Sequence, residues 1–159
     1  MKLIFLDIDG VIINRASCKK RFDNPAPECI ARLNDLLSRT QAKIVMSSCW
    51  RMGRTVLELQ QLMDKWGVQG VVVGKTTWGP QGCQRGDEIG MYIRDWKHEE
   101  PLEAFIIVDD DADMGQYLPH LVHTRFDPGL TQNDVEMAVK LFEKFTQKTQ
   151  NPAVAAGSV

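Results

Sequence analysis

The sequence predicts an α/β protein built on a mostly parallel sheet of about five strands flanked by helices. Three observations carry this reading. Short apolar runs recur along the chain, most of them unbroken by polar residues, as strands covered on both faces require. Longer segments with apolar residues three and four apart lie between them. Carboxylates, hydroxyls and cations follow the ends of the runs, which is where such sheets hold ligands.

The first strand is expected at Lys2–Leu6, within "MKLIFLDIDGVI", and it runs into Asp7 and Asp9, with Gly10 permitting a sharp turn. Pro25 and Pro27 punctuate the entry to a helix on which Ile30, Leu33 and Leu37 share a face. A second strand, Lys43–Ser47, closes on Ser47 and Ser48. Leu59, Leu62, Met63 and Trp66 then have helical spacing, and Gly67 stops that helix. The third strand is expected at Gly70–Val73, followed by Gly74 and Lys75. Ile89, Tyr92, Ile93 and Trp96 repeat the helical spacing, which marks Trp66 and Trp96 as core residues. Ala104–Val108 is the fourth strand and leads into Asp109, Asp110, Asp111 and Asp113; Leu121–Thr124 is the fifth, trailed by Arg125. Thr131 and Asp134 form a capping box ahead of Val135, Ala138, Phe142 and Phe145. One domain is expected over residues 1–147, with a flexible tail over 148–159.

Composition narrows the classes. A net charge of -2 supplies no overall field for nucleic acid or an acidic membrane, so any polyanion must be met by local charge. No stretch approaches the roughly 20 apolar residues of a membrane span, and the apolar run after Lys2 is cut by Asp7 too early for a signal peptide. Cys18, Cys29, Cys49 and Cys83 lack metal-binding spacing, as do His98, His120 and His123. Reduced thiols in a cytoplasmic protein are the expectation.

Residues i and i+2 of an extended chain point the same way, so Asp7 and Asp9 can face one site. Added to the cluster from Asp109, they gather several carboxylates. A like-charged pair at about 4 Å costs about 4 kcal/mol at an effective dielectric of 20. Folding does not assemble such a group without a cation, and all-oxygen ligands select a hard one, Mg²⁺ being usual beside phosphate.

"FLDIDGVI", "IVMSS" and "FIIVDDDADM", in that order at strand ends, resemble the haloacid dehalogenase-like (HAD) superfamily in its phosphatase branch. The resemblance implies a Rossmann-like core and an aspartyl-phosphate mechanism dependent on Mg²⁺. Asp7 would be the nucleophile and Asp9 the general acid/base. Asp7, the Asp9 backbone carbonyl, Asp109 and Asp110 would hold the metal, and Asp113 would orient a loop or the metal shell. Ser47, with Ser48 as its neighbouring alternative, would donate to a phosphoryl oxygen. The family's phosphate-binding cation has two candidates here, Arg85 at the start of a helix in "RGDEI" and Lys75 after the third strand.

Members of this superfamily often carry a cap domain, for which the spacings here leave no room. An open site suits a phosphate on an extended partner. Arg15, Lys19, Lys20 and Arg21 follow the first motif and Arg51 and Arg54 the second, as a possible cationic rim for a polyanion. Trp50, Trp78 and Phe22 offer faces on which bases can stack. "SSCWR" and "RGDEI" also look like the capless phosphatase domains associated with RNA repair, which implies a terminal phosphate on a nucleic acid or a nucleotide as substrate. A phosphoprotein substrate, or a phosphate-binding module without turnover, are the alternatives.

Overall fold

The computed structural model of the chain describes residues 1–19, 21, 23–81 and 83–150, with side chains through 147. Lys20, Phe22 and the 151–159 part of the expected tail lie outside the described residues. In chain order the elements are β1 (Lys2–Leu6), α1 (Arg15–Cys18), α2 (Pro27–Thr40), β2 (Lys43–Met46), α3 (Val56–Trp66), β3 (Val72–Lys75), α4 (Arg85–Arg94), β4 (Ala104–Asp109), β5 (Leu121–His123) and α5 (Gln132–Gln150). The five strands form one sheet in the order β3-β2-β1-β4-β5, and every neighbouring pair is parallel. Helices cover both faces, as in a Rossmann-like HAD core.

The unbroken apolar runs follow from this two-sided cover. Ile4 and Leu6 of β1 and Ile44 and Met46 of β2 pack with Leu33 of α2, Leu59 and Met63 of α3 and Val135 and Phe142 of α5. Leu3 and Phe5 point to the other face, where Val45, Ile107, Ile89 of α4 and Met114 enclose them. Alternate residues of one strand thus serve two cores, so no position from Leu3 to Leu6 is free to be polar.

Helix ends are set locally. Thr55 and Glu58 form a reciprocal capping box at the start of α3, and Gly67 ends it at φ 83°. Trp96 lies two residues beyond the end of α4, half-buried against the second core, with its indole N–H on the Glu100 carbonyl.

The third strand departs from expectation, running over Val72–Lys75 rather than Gly70–Val73. The cause is Gln60 of α3, whose side chain donates to the Gly70 carbonyl at 3.0 Å and accepts the Val72 N–H at 2.7 Å. These bonds tie the chain to α3 before the ladder begins, and the register against β2 shifts between Ile44 and Val45. Between β1 and β2, and again between β2 and β4, the described residues contain only these elements, one short 3₁₀ turn (Cys49–Arg51) and their connections, with no inserted domain over the carboxyl edge of the sheet.

Candidate active site

Asp7 follows β1 directly and is held there by its N–H on the Val108 carbonyl at 3.0 Å. The next turn is tight: the Ile8 carbonyl accepts from Ile12 and Ile13, both at 3.0 Å. Gly10 takes φ 74°, and a Cβ placed on it would sit 2.1 Å from the Asp110 Cγ. Glycine therefore serves twice here, permitting the left-handed turn and letting the first acidic loop approach the second. Thr124 reinforces that approach by donating to the Gly10 carbonyl at 2.9 Å.

The carboxylates of Asp7, Asp109 and Asp110 converge, with one oxygen from each lying within 4.8 Å of the others. Asp7 and Asp109 are buried and Asp110 is partly so. Burial pushes the Asp7 carboxyl above its ordinary range, against the lowering pull of Arg85 and of hydrogen bonds from Ser48 and Ile8. Asp109 is pushed up to about 7 by burial and then by the Asp7 charge. Asp110 is raised by the same two causes in the same order. Three acids, each resisting ionisation, surround one site. Among the described residues, the cation in ion-pair contact with this group is Arg85, whose Nη1 lies 3.2 Å from Asp7 Oδ1 and 3.4 Å from Asp109 Oδ2. One guanidinium does not offset three carboxylates. An all-oxygen donor set with this surplus of negative charge fits a hard divalent cation, which is what the expected Mg²⁺ is. The Asp9 carboxylate is not part of the group; its Oδ2 accepts the Trp50 indole N–H at 2.9 Å.

Ser47 follows β2, its N–H on the Leu6 carbonyl at 3.1 Å. Its hydroxyl is buried without a hydrogen-bond partner among the described residues, whereas Asp109 Oδ2, also without a hydrogen bond, keeps its ion-pair contact with Arg85. Such orphaned polar atoms are costly unless a ligand meets them. The neighbouring Ser48 is engaged already: its hydroxyl caps the 3₁₀ turn Cys49–Arg51 and bonds to Asp7.

Of the two candidate phosphate-binding cations, Arg85 reaches the carboxylates and also donates to the Ser47 carbonyl at 2.6 Å. Asp113 fixes its place in the chain, accepting the Arg85 N–H at its carboxylate and the Gly86 N–H at its carbonyl. Lys75 is the last residue of β3, and its ammonium is turned to the backbone carbonyls of Arg54 and Arg51.

The rim expected around the site divides. Arg15, Lys19 and Arg21 are exposed, Arg21 in an ion pair with Asp23. Arg51 does not belong to the rim. It is 4% exposed and donates to the carbonyls of Ser47, Ser48 and Thr76 and to the Glu88 carboxylate. A guanidinium with five donors can stay inside only where acceptors surround it, and the ends of β2 and β3 supply them. Trp50 is likewise no open platform, since Trp66 packs edge-on against its ring at 5.3 Å and Arg54 lies over it at 5.7 Å. Trp78 remains 68% exposed.

Sequence reading missed Glu88 and the Trp50–Asp9 bond. Glu88 was open to inference: it stands three residues after Arg85 in "RGDEI", so one helical face sends both side chains toward the carboxyl edge of the sheet.

Residues 3–135 match the family described as the HAD domain in Swiss Army Knife RNA repair proteins. No curated protein matches the chain.

Proposed function

The chain belongs to the family of HAD domains in Swiss Army Knife RNA repair proteins, whose HAD character points to a phosphatase-type hydrolase, and on that premise we propose that it is a Mg²⁺-dependent phosphomonoesterase working through an aspartyl phosphate. The observation that carries this reading is the grouping of Asp7, Asp109 and Asp110 around a space bordered by Arg85 and the unpartnered Ser47 hydroxyl.

In this reading Asp7, Asp109 and Asp110, with the Asp9 backbone carbonyl, hold Mg²⁺, whose charge offsets both the carboxylates and the phosphate. An Asp7 oxygen attacks phosphorus while the P–O bond to the leaving group breaks and its electron pair departs with the alcohol oxygen. Asp9 gives that oxygen a proton. Water then attacks phosphorus, Asp9 takes a proton back, and the Asp7–phosphate bond breaks to release inorganic phosphate. The Arg85 guanidinium and the Ser47 hydroxyl bind the equatorial phosphoryl oxygens, where charge accumulates in the transition state.

We propose a terminal phosphate on RNA, DNA or a nucleotide as the substrate. The family's association with RNA repair supports this, as does a carboxyl edge with no inserted domain over it among the described residues. So do the exposed cations Arg15, Lys19 and Arg21 and a cavity of about 370 Å³ lined by Arg51, which bonds to the Ser47 carbonyl, and by Met52, Lys75 and Trp78. Lys75 is set aside as a phosphate ligand because its ammonium is spent on backbone carbonyls.

Phosphate release from 3′- and 5′-phosphorylated oligonucleotides, mononucleotides, a phosphopeptide and an aryl phosphate, with Mg²⁺ or chelator, tests the proposal. Oligonucleotide or nucleotide ends are expected to be preferred, with turnover abolished by chelator and by Asp7→Asn. Full activity in Asp7→Asn would falsify the nucleophile assignment, and preference for the phosphopeptide would overturn the substrate class.

A further inference from the structure

Asp9 leaves β1 on a turn, half-buried, and a free carboxylate there can rotate about two side-chain bonds. One oxygen is not free. Trp50 reaches across from the turn after β2 and donates its indole N–H to Asp9 Oδ2 at 2.9 Å. The indole nitrogen is a donor only, so it can neither take the catalytic proton nor give up its own at neutral pH. Its effect on Asp9 is geometric.

Trp50 is itself firmly held. Its backbone N–H is capped by the Ser48 hydroxyl at 3.4 Å, and its carbonyl accepts the Arg54 guanidinium at 2.8 Å. The ring makes an edge-to-face contact with Trp66, and the Arg54 cation lies over it. A tryptophan pinned on its backbone and across its ring can hold a carboxylate to one orientation.

We propose that Trp50 is a positioning residue: its N–H occupies Asp9 Oδ2, leaving Oδ1 as the single atom that passes the proton to the leaving oxygen and recovers it from water. This rests on the phosphatase reading above and adds to it the residue that aims the acid. In the first step the Oδ1–H bond breaks and a new O–H bond forms on the departing alcohol, as the phosphoryl group moves to Asp7. In the second, a water O–H bond breaks and Oδ1–H is restored.

The test separates aim from structure through the leaving group. An alkyl phosphate or nucleotide needs a proton to depart, whereas dinitrophenyl phosphate departs as a stable anion. The ratio of their kcat/KM values, which reports the step that expels the leaving group, is measured for the parent, Asp9→Asn and Trp50→Phe. Trp50→Phe is expected to lower the alkyl-to-dinitrophenyl ratio about 10-fold or more, in the direction of Asp9→Asn, whose own effect is about 10²–10⁴-fold. Phenylalanine leaves a gap beside Trp66, so the ratio is also measured with benzothienylalanine at position 50, which keeps the ring outline and replaces N–H by sulfur. A lowered ratio in that chain supports the proposal. An unchanged ratio, whether both rates fall together or neither falls, overturns it. If Asp9→Asn leaves the ratio unchanged, it is the acid/base reading of Asp9 that fails, and the role of Trp50 falls with it.

Discussion

Arg51 and Glu88 form an ion pair at 2.6 Å with side chains only 5% and 9% exposed. They join the turn after β2 to α4, 37 residues apart in the chain. The other Glu88 oxygen accepts the Gly79 N–H at 3.0 Å, and Arg51 shares the Ser47 carbonyl with Arg85. The pair therefore ties together the segments that carry Ser47 and Arg85.

Breaking a buried pair leaves one uncompensated charge inside, at a cost of about 3–5 kcal/mol. Glu88→Gln and Arg51→Met are each expected to destabilise the chain on that scale, read from the midpoint of chemical unfolding. Removal of both partners is expected to cost less than the sum of the single changes. A midpoint unmoved by either single change would contradict the clamp.

Arg85 and Lys75 are distinguished by what they touch. Arg85→Met is expected to lower kcat/KM about 10²–10³-fold, as loss of a fixed donor to transition-state charge does. Lys75→Met removes bonds to the Arg51 and Arg54 carbonyls, and its cost is expected in thermal stability rather than in kcat/KM. Steady-state kinetics beside melting curves for both variants check this, and a reversed pattern would exchange their roles.

The acid cluster predicts an unusual pH dependence. Asp109 is held at about 7 in the folded chain, against about 3.9 when unfolded. Between these values the folded chain binds more protons than the unfolded one. Its contribution to stability is full below the unfolded value and is lost as pH rises through about 7. The raised Asp7 and Asp110 act with the same sign. In chelator, the melting temperature of the parent relative to Asp109→Asn is expected to rise on acidification from about pH 8 to about pH 6. Mg²⁺ at the higher pH is expected to stabilise the parent and to act much less on Asp109→Asn. A relative melting temperature that falls on acidification would contradict the assignment.

Gly10→Ala meets two obstacles, a backbone at φ 74° and the Asp110 carboxylate 2.1 Å from the new Cβ. The conformation alone costs about 1–2 kcal/mol, and displacing Asp110 is expected to weaken the Mg²⁺ response as well. Thermal melts with and without Mg²⁺ measure both effects. A variant as stable and as metal-responsive as the parent would show that the two loops do not depend on this approach.

The central strands were readable because a strand enclosed on both sides must be apolar throughout, as Leu3 to Leu6 and Ile106 to Val108 are. The acids beyond them stood out because nothing in packing explains carboxylates at such ends. β3 was displaced by two residues because its start is set by Gln60, a side chain on another element, which no local pattern records. Arg51 was read as surface because a charge is normally solvated, and the acceptors that keep it inside come from β2, β3 and α4. Trp50 reads as a stacking face for a base in sequence, and its bond to Asp9 exists only once two strand ends are adjacent. Residues whose role rests on one segment were legible, while those whose role joins distant segments were not.

The strand order places β1 at the middle of the sheet, flanked on each side by two others. Amide hydrogens of Leu3–Leu6 consequently exchange with solvent only when the entire domain opens, whereas the short outer strands can fray alone. The Asp7 carboxylate thus rides on the last segment to let go during heating or proteolytic nicking, and its geometry survives until cooperative collapse. Arg85, delivered by the first turn of α4, has no such shelter, so on warming its placement would be lost before that of Asp7.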